Sequence, residues 1–254
     1  MLHVHEWGDP AAPPVVCLHG ISSYGGRFGG LAEQLADRFH VLAPDLLGHG
    51  ASDWEPPWGI DAHLDAVVDA TGVERGIWLG HSFGGRLVAE LAAREPERIE
   101  RLVLLDPALR VLPHVAADMA EQACHDLSFD SVEEAVELRY ETRRVLLAPR
   151  ELVIESDRPH LEPGPDGRLR YRYSRPAVVT AWSEVATQPP PPARVPTLVV
   201  LGAESWLVPD EELAEYHAEL GDELLTVVIV PGGHTVYWDA FAETADAVEA
   251  FLSY

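Results

Sequence analysis

Gly80-His81-Ser82-Phe83-Gly84 spells G-x-S-x-G, a pattern in which the central serine can act as a nucleophile. A short apolar stretch, Gly76–Gly80, precedes it and a helix-like stretch, Arg86–Glu95, follows. The spacing therefore predicts a sharp strand-to-helix turn with Ser82 at its apex. Small flanking glycines let the backbone pass close to itself, and a helix N-terminus behind the serine supplies N–H groups and positive potential. His19-Gly20-Ile21 closes another apolar run, Val15–Leu18. A turn there can offer the Ile21 N–H opposite the serine. Together with the Phe83 N–H it would form an oxyanion hole. His234, in Val230-Pro231-Gly232-Gly233-His234, lies between the last apolar run and the last helix-like segment. A loop histidine in that place can take the serine proton and return it to a leaving group. The chain has 12 His, so placement and not type selects His234. His40, His49, His63 and His114 read as surface or packing residues, and the His81 side chain is expected to point away across the turn.

The elements that must hold these residues alternate. Strands are expected at Leu2–Trp7, Val15–His19, His40–Ala43, Gly76–Gly80, Ile99–Asp106, Thr197–Leu201 and Leu224–Val230. Helices are expected at Leu31–Arg38, Asp61–Thr71, Arg86–Glu95 and Phe241–Phe251. Such alternation predicts an α/β fold with a mostly parallel sheet and helices on both faces. It stops between residues 107 and 194. There, helices are expected over Val132–Leu147, opened by the capping pair Ser131 and Glu134, and over Ala177–Thr187. A polar stretch, Pro159–Arg168, separates the two, and Pro189–Pro192 forms a stiff extended connector. The expected division is a core of residues 1–106 and 195–254 with a helical insertion of residues 107–194.

At this point the chain resembles the α/β-hydrolase superfamily. The resemblance rests on His19-Gly20, Pro44-Asp45, Gly48-His49-Gly50 with Ser52-Asp53, Gly80 to Gly85, and Gly232-Gly233-His234. It implies an eight-stranded sheet, a Ser–acid–His triad in that chain order, and a helical cap inserted after the sixth strand. Many relatives carry the acid three residues after the glycine that closes the seventh strand. Here that position, in Leu201-Gly202-Ala203-Glu204-Ser205-Trp206, is Ser205, which cannot serve. The acid is then Asp106, at the end of an apolar strand as in some lipase-like relatives, or Glu204 one residue out of register, with Asp210 a further candidate. Its task is to fix the histidine tautomer and stabilise the imidazolium.

The expected function is a capped serine esterase of the carboxylesterase or lipase-like kind, acting on a small or medium apolar ester. Trp54, Tyr140, Trp182 and Trp206 are candidate pocket residues. Carbon–carbon bond or lactone hydrolysis on the same triad is an alternative, and a non-catalytic small-molecule receptor is another. Dehalogenase and epoxide hydrolase chemistry is disfavoured because those relatives carry Asp at the nucleophile position.

Composition narrows the field further. The chain carries 18 Lys+Arg against 42 Asp+Glu, a net charge of −24, with 47% hydrophobic and 24% charged residues. Nucleic-acid binding needs clustered basic residues, and anionic membranes repel such a charge. Neither partner is expected. No phosphate-binding G-x-x-x-x-G-K occurs, and no His pair beside a carboxylate stands out as a metal site, so no cofactor or metal is expected. Arg168, Arg170 and Arg175 around Tyr171-Arg172-Tyr173 form one basic stretch, read as surface ion pairs. Two isolated cysteines, Cys17 and Cys124, make no disulfide framework. Met1–Asp9 lacks a signal-peptide pattern and no apolar run approaches ~18 residues, so a cytoplasmic protein is expected.

Overall fold

The computed structural model describes residues 1–142 and 146–253. Apolar runs become the strands of one sheet: β1 (Val4–Trp7), β2 (Pro14–Leu18), then, after α1 (Gly29–Leu35), β3 (His40–Pro44). Helix α2 (Ile60–Thr71) leads to β4 (Gly76–His81), α3 (Phe83–Arg94) and β5 (Ile99–Leu105). The insertion follows, with α4 (Pro113–Ala123), α5 (Val132–Thr142), α6 (Arg150–Asp157), β6 (Leu161–Pro163), β7 (Leu169–Tyr171) and α7 (Arg175–Val185). The chain then closes the sheet with β8 (Thr197–Gly202), α8 (Asp210–Leu224), β9 (Leu225–Val230), α9 (Val236–Asp239) and α10 (Phe241–Leu252). No described helix is long and apolar enough to cross a membrane.

The main sheet has the order β1-β3-β2-β4-β5-β8-β9, with β1 antiparallel to β3 and every other pair parallel. It has seven strands among the described residues, not the eight implied by resemblance. The insertion accordingly departs after the fifth strand of the chain, not the sixth. Strands β1 and β2, consecutive in sequence, are separated in the sheet by β3.

Period-2 alternation divides the core into two layers. Val16, Leu18, Trp78, Leu102 and Leu104 face one side, where they pack with residues of α2, α3 and α8. Val15, Cys17, Ile77, Leu79, Val103 and Leu105 face the other, where they meet α1 and α10. The central strands are buried on both faces, which is why they read as unbroken apolar runs.

Polar side chains hold much of the insertion to this core. Buried Arg86 on α3 donates to the Leu109 carbonyl at 2.5 Å and the Gln188 carbonyl at 2.8 Å, gripping both ends of the insertion. Buried Asp157 on α6 accepts from Arg27 at 2.5 Å and from the Tyr171 hydroxyl at 2.7 Å, and pairs with Arg139 at 2.6 Å. Helix α5 starts as the Ser131/Glu134 pattern predicts: Glu134 N donates to Ser131 Oγ at 3.1 Å. The expectation that this helix runs to Leu147 falls in part on residues 143–145, outside the described residues. The basic stretch forms ion pairs, with Arg170 on Asp126 and Asp166 and Arg168 on Asp130.

Candidate active site

Ser82 sits between β4 and α3 with φ 56 and ψ −120, a left-handed conformation that L-residues adopt only when the surroundings enforce it. The enforcement is visible. A Cβ on Gly80 would lie 2.2 Å from the Gly84 carbonyl, and one on Gly84 would lie 2.0 Å from the Leu18 carbonyl. Only glycines allow this close crossing. The Ser82 carbonyl accepts from Ala108 N at 2.9 Å and Arg86 N at 3.2 Å, fixing the turn from two sides.

The His19-Gly20-Ile21 turn lies against the serine. A Cβ on Gly20 would be 2.8 Å from Ser82 Cβ and 3.2 Å from Ser82 Oγ. Two buried histidines brace this loop. His19 Nδ1 donates to the Gly20 carbonyl at 2.8 Å, and its Nε2 accepts from Leu46 N at 2.9 Å. His49 Nδ1 donates to the Leu47 carbonyl at 3.0 Å, and its Nε2 accepts from Ser22 N at 3.3 Å. Each ring needs one bare nitrogen, so both are neutral. Burial drives the same result: it lowers His19 to about 3 and His49 to about 4. Phe83 opens α3, where first-turn N–H groups have no acceptor inside the helix.

On the opposite side, His234 follows β9 and its Nδ1 contacts Asp106 Oδ2 at 2.7 Å. The carboxylate can only accept, so Nδ1 carries the proton and Nε2 keeps its lone pair. Asp106 directly follows β5 with φ 42 and is fully buried. Its charge is met by donors: Gly202 N at 3.2 Å on Oδ1, and Ser205 Oγ at 2.6 Å on the oxygen that also faces His234. Because β5 and β8 are parallel neighbours, both strand ends reach this point. Glu204 is exposed and its backbone N–H donates to the Gly232 carbonyl, while Asp210 is exposed at the start of α8. The structure thus brings Asp106, not Glu204 or Asp210, to His234.

His81 does not point away, contrary to expectation. Its Nε2 donates to the His234 carbonyl at 2.9 Å, and its ring lies 4.5 Å from the His234 ring and 5.0 Å from Tyr237. The left-handed Ser82 reverses the chain direction, so residue 81 turns toward the histidine loop. Asp239 is a further residue that sequence reasoning missed. Its Oδ2 accepts from Gly233 N at 2.9 Å, and its Oδ1 accepts from Leu147 N at 2.8 Å and Ala148 N at 3.2 Å. It joins the His234 loop to the insertion. Ser205 carried a signal, since it occupies the place where an acid was sought.

The candidate pocket residues scatter. Trp54 lines a groove of about 650 Å³ with Leu127, Tyr171, Tyr173 and Arg175, on the insertion side of the molecule. Ser82, Asp106 and His234 do not line it. Tyr140 donates to the Ala148 carbonyl at 2.5 Å and stacks under Arg150. Trp182 packs on the core layer that contains Phe83, and Trp206 is largely exposed. Tyr140 is therefore a packing residue of the insertion.

These features have counterparts in known proteins. The sequence profile described as alpha/beta hydrolase fold matches residues 13–241. The chain belongs to that family and is an α/β-hydrolase of lipase- and esterase-like sequence. A relative from Mycobacterium tuberculosis, Lipase LipV, is 37% identical over 231 residues, covering 87% of this chain and 86% of its own. A 3-hydroxybutyrate-oligomer hydrolase from Cupriavidus necator is 28% identical over 275 residues, covering 97% and 91%. Among solved structures, E-2-(acetamidomethylene)succinate hydrolase superposes with a TM-score of 0.87 at 23% identity, covering 100% of this chain and 95% of that one, and shares the fold.

Proposed function

We propose that the protein is a serine hydrolase that cleaves a small or medium apolar carboxylic ester through an acyl-enzyme. The observation that carries this reading is the contact of His234 Nδ1 with buried Asp106 at 2.7 Å, beside a serine held in a left-handed turn. Ser82 Oγ attacks the ester carbonyl and its proton passes to His234 Nε2. The Ile21 and Phe83 N–H groups receive the oxyanion. The tetrahedral adduct collapses, the alcohol leaves with the proton from His234, and Ser82 holds the acyl group. Water then attacks, giving its proton to His234, and the acid departs as Ser82 regains its hydrogen. Asp106 holds the imidazole in register and stabilises it when charged. Residues 107–194 act as a cap that shapes the acyl site, and the lipase name of one relative supports an ester substrate.

The test is hydrolysis of p-nitrophenyl esters of increasing chain length by wild type and Ser82→Ala. Turnover by wild type with a loss of at least ~10³-fold in Ser82→Ala is expected. Retained turnover in Ser82→Ala overturns the assignment, and no turnover on any ester overturns the ester class.

A further inference from the structure

Away from the serine, the antiparallel edge of the sheet assembles a second set of chemistry-bearing side chains. His3 and His5 stand two residues apart, so they emerge on one face of the extended chain. The register of β1 on β3 pairs Val4 with Pro44 and His5 with Ala43, which sets His3 opposite Asp45. Directly opposed residues of an antiparallel pair share a face. Two imidazoles and one carboxylate are thereby delivered to the same spot. Their ligand atoms all lie within 4.8 Å of one another.

The frame that carries them is fixed. Asp45 N donates to the His3 carbonyl at 2.8 Å, His3 N donates to Ser52 Oγ at 2.9 Å, and Ser52 Oγ donates to the Asp45 carbonyl at 2.5 Å. The Asp45 carboxylate is buried and oriented by backbone donors, Gly25 N at 2.7 Å on Oδ1 and Ala51 N at 2.8 Å on Oδ2. Oδ1 also accepts a hydrogen bond from His5 Nε2 at 3.1 Å, a contact that a bound cation would replace. That separation is close to the ligand–ligand spacing of about 3.3 Å around a tetrahedral ion with bonds of about 2.0 Å. The His5 ring is held between Trp7, 6.1 Å away, and Tyr24, 5.7 Å away. His3 is exposed, and its ring meets the His5 ring edge-on with centroids 4.6 Å apart.

We infer that His3, His5 and Asp45 form a site for a zinc-class divalent cation, with three protein ligands and a fourth position open to water. Two nitrogen donors and one oxygen donor suit zinc and cobalt better than magnesium or calcium, which take all-oxygen shells. The backbone donors on Asp45 are the outer partners that orient a ligating carboxylate. The ion would tie the edge strand to the loops that begin at Gly25 and Gly50. This site is independent of the hydrolase reading, since it shares none of its residues.

The experiment is calorimetric titration of the intact protein with zinc chloride, with cobalt chloride followed by visible absorption in parallel. Wild type is expected to bind one equivalent and to show d–d bands of a low-coordinate cobalt centre. His3→Ala and His5→Gln are each expected to weaken that binding at least 10-fold, with ester hydrolysis without added metal unchanged in His3→Ala. Far-UV circular dichroism keeps a folding failure of either variant apart from loss of the site. Failure of wild type to bind at millimolar zinc overturns the inference. Equal binding by wild type and either folded variant also overturns it, because the ion would then sit on other histidines.

Discussion

Histidines flank Ser82 on both sides, and they are used in opposite ways. His19 and His49 brace the loop that faces the serine. They are wholly buried, each donates to one backbone carbonyl and accepts one backbone N–H, and burial holds both neutral. His234, on the far side, has a side chain 35% exposed and rests on a carboxylate that is fully buried. A ring with both nitrogens committed to backbone is a spacer. A ring with one nitrogen anchored on a carboxylate and the other not committed to backbone can move a proton. Environment, not residue type, decides which of the 12 His is the base.

The contrast can be broken at its strongest point by removing the anchor. Asp106→Asn is expected to cut kcat by about 10³–10⁴-fold, because an amide also presents a donor to Nδ1 and spoils the tautomer. Glu204→Gln is expected to leave kcat within twofold. A p-nitrophenyl ester assay of both variants checks this, and a loss confined to Glu204→Gln would reverse the assignment. On the other flank, Gly20→Ala places a methyl 2.8 Å from Ser82 Cβ and must push the loop and serine apart. A fall of about 10²-fold in kcat is expected, comparable to loss of one oxyanion donor, with the far-UV circular dichroism spectrum retained.

The neutral histidines also sharpen the comparison through pH. His19, His49 and His63 have folded pKa values lowered by burial to about 3, 4 and 3, against about 6.5 in the unfolded chain. Below pH 6.5 the unfolded state takes up protons that the folded state refuses, so stability present above that pH is lost as pH falls. Each ring contributes up to about 1.4 kcal/mol per pH unit, or tenfold in the folding equilibrium, between about pH 6 and 4. Urea unfolding at stepped pH should show this slope, and His63→Phe should make it shallower by about one proton. Among the variants expected to lose activity, Ser205→Ala shows the smallest effect. Removing the 2.6 Å hydrogen bond to Asp106 Oδ2 should lower kcat three- to tenfold with KM unchanged. A change in KM alone would show that Ser205 acts on substrate and not on the acid.

Much of this is legible in the amino-acid sequence. The expected strands match β1 to β5, β8 and β9 within two residues at either end, because strands buried on both faces leave continuous apolar runs. Ser82 and His234 were legible because turn glycines and strand ends bracket them. The acid stayed open between strand ends, since only the sheet order puts β5 beside β8 and so Asp106 beside Ser205. Other features left little trace. Helix α6 buries only Val153 and Asp157, and α8 only Tyr216 and Leu220, too few for a visible apolar stripe. The β6–β7 hairpin has three residues per strand, too short for alternation to register. Sequence distance also hid the Arg27–Asp157 pair, 130 residues apart.

Asp239 has a consequence of its own. One carboxylate oxygen secures Gly233, the residue before His234, and the other secures the backbone at Leu147 and Ala148 in the insertion. Lifting that part of the insertion strips two donors from an anion that still holds the histidine loop. The placement of residues 147–148 and that of the His234 loop thus meet at one side chain. If displacing residues 147–148 shifts the His234 loop, then displacing that loop shifts residues 147–148 by the same free energy.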